Sequence, residues 1–122
     1  MIVGIGVDLV PVERAAALVA RHGERFLARC FNPGEVARPG DPSHVAGLLA
    51  AKEAAFKALG TGWGEGVGWR DVAVARDTAG APSLTFAGAA AKRAADLGAG
   101  RYHLSISHDG GLAVAVVVLE TQ

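Results

Sequence analysis

An α+β domain, with a largely antiparallel sheet packed against helices, is the fold class this sequence predicts. Three observations point there. Strand and helix patterns follow one another without the regular alternation of a parallel sheet. Two pairs of strand patterns are joined by short turns, at Asp77-Thr78-Ala79-Gly80 and at Asp109-Gly110-Gly111, as antiparallel hairpins are. A chain of 122 residues, 51% of them hydrophobic, suits a single domain over residues 1–122 with a core of its own.

The first strand covers residues 2–10, with Val3, Ile5, Val7 and Leu9 on one face and Ile2, Gly4, Gly6, Asp8 and Val10 on the other. Two glycines beside an acid leave room at the backbone for a ligand or for a packed neighbouring element. Pro11 opens a helix that the basic pair Arg21-His22 and Gly23 close. A second, short helix over residues 24–29 stops at the turn Phe31-Asn32-Pro33-Gly34, and residues 38–42 read as loop. Asp41 caps a long third helix with Pro42 in its first turn; Gly60 ends it, and Val45, Leu49, Phe56 and Leu59 are its expected buried members. Gly60, Gly62, Gly64, Gly66 and Gly68 then alternate through a segment with Trp63 and Trp69, which reads as a flexible linker or as a loop whose amides approach phosphate oxygens. Residues 71–76 and 83–86 form one hairpin, residues 88–97 an alanine-rich helix stopped by Gly98, and residues 101–108 and 112–119 a second hairpin. The last strand is so rich in valine that burial on both faces is expected.

Composition narrows the functional classes. Formal charge is zero, so the field of a general nucleic-acid binder is missing and any anionic partner must meet a local patch. Only 6% of residues are aromatic, which makes the core alanine-, valine- and leucine-based and oligomerisation a natural supplement. Cys30 is the single cysteine; it excludes an intrachain disulfide, favours a reducing compartment and reads as core filler. No basic leader and no apolar run of membrane length are visible, so a soluble cytoplasmic protein is expected. The histidines show neither an HExxH motif nor paired spacing, which argues against zinc.

Chemistry concentrates in Lys52-Glu53-Ala54-Ala55-Phe56-Lys57. Glu53 and Lys57 are four residues apart and share a helix face, where they make either a surface ion pair or a carboxylate and ammonium facing a phosphate and its cation. Asp8 ends a buried-looking strand; it caps the next helix or meets Glu53. Two carboxylates brought together repel unless a cation neutralises them, and magnesium, held by one or two acids plus substrate phosphates, fits.

Gly4-Ile5-Gly6-Val7-Asp8, then Lys52 to Lys57, then Ser105-Ile106-Ser107-His108, in that order, resemble the holo-[acyl-carrier-protein] synthases, small 4′-phosphopantetheinyl transferases, over nearly the whole chain. The resemblance implies their fold and a magnesium-dependent transfer of the 4′-phosphopantetheine arm from coenzyme A to a serine of apo acyl carrier protein, releasing adenosine 3′,5′-bisphosphate. It places Asp8 and Glu53 on the metal and makes Glu53 and Lys57 the catalytic pair. The serine's proton goes either to Glu53 or to a water on the cation. Lys52, Lys57, Gly60, Gly62 and His108 are assigned to coenzyme A, the alternative for Lys52 being a solvent-facing helix charge. Arg14, Arg21 and Arg25 are assigned to docking of the acidic carrier, and a homotrimer with active sites between subunits is expected. Family members commonly carry arginine where this chain has Leu48, which removes one basic contact. Two other readings compete: a nucleotide-binding module that transfers nothing, and a structural trimer whose acids form interface ion pairs.

Overall fold

The computed structural model describes residues 1–61 and 66–122. In chain order the elements are β1 (Ile2–Pro11), α1 (Val12–His22), α2 (Glu24–Cys30), α3 (Pro42–Leu59), a single 3₁₀ turn (Trp69–Asp71), β2 (Val72–Arg76), β3 (Pro82–Phe86), α4 (Gly88–Asp96), β4 (Arg101–Asp109) and β5 (Leu112–Glu120). All strand pairing is antiparallel: β1, β5 and β4 form a three-stranded sheet with β5 in the middle, and β2 pairs with β3.

The third helix is the axis of the molecule. Its start is set by Asp41, whose Oδ1 accepts from the backbone N–H of Ser43 (3.1 Å) and His44 (3.4 Å), with Pro42 in the first turn. Its end is set by Gly60 at φ 72°; there Gly60 N donates to Lys57 O and Thr61 N to Phe56 O, the paired bonds of a Schellman motif. Between them, from His44 to Leu59, every residue is buried except Glu53 and Lys57. A helix apolar all round has to be wrapped on all sides. The sheet, α1, β2 and α4 do the wrapping.

Gly4 and Gly6 account for how closely α3 lies on β1. A Cβ at Gly6 would sit 1.9 Å from Ala54 O, and one at Gly4 2.2 Å from Ala58 O. The space those glycines leave is therefore filled by the helix backbone, the second of the two expectations for them.

The last strand departs from expectation. Ala113, Ala115, Val117 and Leu119 are fully buried beneath α3, but on the other face Leu112 and Val116 are exposed, as are Ile5, Val7 and Leu9 of β1. Val7 pairs with Val116, so these side chains form one continuous apolar surface on the outside of the sheet. Within one chain, β5 is buried on one side only.

Candidate active site

Glu53 and Lys57, the two gaps in the burial of α3, open toward the end of β1. Asp8 stands two residues beyond Gly6 on the same face of that strand, and the close strand–helix approach delivers its carboxylate to the helix. Lys57 Nζ donates to Asp8 Oδ1 (2.9 Å) and to Val7 O (3.0 Å). Arg14 of α1 reaches in from the other side, its Nη2 donating to Glu53 Oε1 at 3.1 Å. Residues 8, 14, 53 and 57 thus form one alternating group of acids and bases.

Its charges are not fully matched. The Glu53 carboxyl is pushed up from 4.5 to about 7, first by burial and next by the neighbouring Asp8 carboxyl; Arg14 opposes both. Asp8 Oδ2 is buried and has no hydrogen-bond partner. A carboxylate oxygen left bare beside a second carboxyl calls for a proton or a cation between them. A hard divalent cation that takes oxygen ligands and keeps its waters fits this donor set. Among the described residues there is no group of three or more histidine, cysteine or acidic ligands, so a fully protein-ligated site is not built here.

Lys52 requires a correction. Neither a solvent-facing charge nor a phosphate contact describes it: its side chain is wholly buried and its Nζ lies 2.8 Å from Glu35 Oε1. Nζ also donates to Trp69 O (3.0 Å) and Val72 O. Burial pulls its pKa down, and the Glu35 hydrogen bond and charge pull it back. Glu35 carried no signal in the sequence; a lysine inside an otherwise apolar helix was the clue that a buried partner exists.

The remaining assignments fall in different places. His108 lies near the opposite end of α3, its Nε2 hydrogen-bonded to Ser43 O at 2.8 Å, and is not part of the Asp8–Glu53–Lys57 group. Gly60 terminates α3, whereas Gly62 lies outside the described residues. Arg14 is engaged with Glu53, a pairing the sequence did not suggest. Arg25 and Arg14 line a cavity of about 600 Å³ with Arg29, Leu18, Phe26 and Trp69, while Arg21 is exposed and outside it. Cys30 is buried and its thiol pKa is raised by that burial, as core filler should be.

Residues 4–117 match the family model described as the 4′-phosphopantetheinyl transferase superfamily. The holo-[acyl-carrier-protein] synthase of Solidesulfovibrio magneticus is 51% identical over 122 residues, covering 98% of this chain and 99% of the relative. The Helicobacter pylori holo-[acyl-carrier-protein] synthase, solved in complex with coenzyme A, is similar with a TM-score of 0.85 at 34% identity, over 95% of this chain and 99% of that one. The Bacillus anthracis enzyme of the same name, solved in complex with CoA (3′,5′-ADP), gives a TM-score of 0.80 at 37% identity, over 100% and 99% of the two chains.

Proposed function

We infer the activity from a plain premise: the chain belongs to the 4′-phosphopantetheinyl transferase superfamily. It is a holo-[acyl-carrier-protein] synthase in kind, transferring the 4′-phosphopantetheine arm of coenzyme A to apo acyl carrier protein. In the finer reading, the carrier serine Oγ forms a bond to the pantetheine-bearing phosphorus of coenzyme A. The bond from that phosphorus to the 5′-phosphate oxygen breaks, and adenosine 3′,5′-bisphosphate leaves.

The observation that carries this reading is the convergence of Asp8 and Glu53, with Asp8 Oδ2 unpartnered. A magnesium ion held by these two acids would offset charge on the diphosphate. The chain's own groups do the rest. Lys57 already holds its ammonium beside Asp8, at the place where a phosphate oxygen would arrive, and can pair with it there. Glu53 presents a carboxylate oxygen that can take the serine's proton. Arg14 fixes the other side of that carboxylate. Alignment and charge suffice for such a transfer, which needs no covalent nucleophile from the protein.

Docking of the carrier is supported by the cavity beside the site. Arg14, Arg25 and Arg29 rim it and Leu18, Phe26 and Trp69 line it, a surface suited to an acidic amphipathic helix. The exposed apolar face of the β1–β5–β4 sheet supports a homotrimer. Active sites between subunits would give His108, remote from Asp8 in its own chain, a way to contact coenzyme A. Among the described residues no helix is long and apolar enough to cross a membrane, and a single cysteine suits the cytoplasm, where carrier proteins of fatty acid synthesis would be served.

The decisive experiment mixes the protein with coenzyme A, magnesium and an apo carrier, and weighs the carrier by mass spectrometry. The carrier is expected to gain one phosphopantetheine, and Asp8→Ala and Glu53→Ala are each expected to lower the rate by about a thousandfold or more with the fold unchanged by circular dichroism. Full activity in either variant would refute the assignment.

A further inference from the structure

Lys52 and Glu53 are neighbours in sequence, and each ties a different wall of the cavity to α3. On one side Glu53 binds Arg14 of α1. On the other, the Lys52 ammonium meets Glu35 Oε1, Trp69 O and Val72 O, which occupies all three of its N–H groups. Glu35 is equally committed: Oε1 also accepts from Asn32 N (2.9 Å) and Oε2 from Val74 N (2.6 Å). The ammonium lies 5.2 Å from the centre of the Phe31 ring, and Phe31 is the residue at which α2 ends. One buried cation therefore grips the exit of α2, the Trp69–Asp71 turn and β2 at once.

Those segments carry the cavity. The second helix contributes Arg25, Phe26 and Arg29, and the turn contributes Trp69. At seven residues α2 is too short to hold its own orientation, so its direction is set by what anchors its ends. A buried ion pair contributes little net stability, because desolvation offsets most of the attraction; what it does supply is fixed, directional geometry. None of its partners belongs to the Asp8–Glu53–Lys57 group.

We propose that Lys52 is a positioning residue: with Glu35 it sets the separation of α2 and the Trp69 turn from α1, and hence the width of the cavity that receives the acyl carrier protein. This rests on the docking reading above.

Initial rates of arm transfer, with carrier and coenzyme A varied in turn, test it in two variants of the full chain. K52M/E35L replaces the pair by apolar side chains of similar size; Glu35→Asp keeps the charge and shortens the reach, and it decides the matter if the double variant does not fold. Carrier KM is expected to rise about tenfold in K52M/E35L and about threefold in Glu35→Asp, with coenzyme A KM within about twofold of the parent. A carrier KM unchanged in a folded variant overturns the proposal. So does an equal rise in both KM values, the mark of general loosening, or a fall in kcat at constant KM, the mark of a smaller folded fraction. A parent protein that adds no arm to the carrier would instead refute the transferase reading itself.

Discussion

Glu53 carries a pH signature that stability measurements can read. Its carboxyl is raised from 4.5 to about 7 in the folded chain, so its favourable contribution to folding is complete below pH 4.5, where both states are protonated, and is lost as pH rises through 7. Glu53→Gln stays neutral throughout. In cation-free buffer it is expected to raise Tm by roughly 2–5 °C at pH 8 and to leave it within about 1 °C at pH 4, read by thermal denaturation. A lower Tm at pH 8 would show that the lost Arg14 pairing outweighs relief from burial and from Asp8. At this scale the sequence was informative where spacing is local: Glu53 and Lys57 had to share a helix face. It was silent on Glu35, because the partner of a buried lysine lies wherever the tertiary fold brings an acid, and no local pattern marks that acid.

Among the elements, the contact between β1 and α3 controls the rest. Gly6→Ala would place a methyl 1.9 Å from Ala54 O and 2.7 Å from Ala58 N, both backbone atoms that cannot swing away. It is expected to cost about 3 kcal/mol or more of unfolding free energy by urea denaturation. Transfer should fall further than stability, since forcing the strand off the helix parts Asp8 from Glu53. A variant as stable and active as the parent would mean that α3 is not seated on the strand backbone. Helix boundaries were readable because caps are chemical: Asp41 and Gly60 announce themselves. The role of Gly4 and Gly6 was not, since a glycine pair looks the same whether a ligand or a helix fills the gap. The 3₁₀ turn ahead of β2 is equally silent in the sequence, as one turn leaves no periodicity.

At the scale of the whole molecule, the valine pattern of β5 is explained only if something covers the outer sheet face. Half of that pattern is satisfied inside the chain, by α3; the other half, with Ile5, Val7 and Leu9, faces outward. If further copies of the chain supply the cover, as proposed, Val7→Asp should dissociate the assembly. Sedimentation is expected to show a trimer for the parent and a monomer for the variant, and identical masses would remove the proposal. Periodicity identifies a strand's two faces but does not say which covering belongs to the same chain, so a buried core and a subunit interface look alike in the valine pattern.

The burial of α3 on every side but the stripe of Glu53 and Lys57 has a consequence for how such an enzyme can change. Glu53 and Lys57 share with the scaffold a single rod with no spare surface, so nearly any substitution along it disturbs the seating of its neighbours. Changes in partner choice are then more easily accommodated in the peripheral pieces, α1, α2 and the β2–β3 hairpin, than along α3.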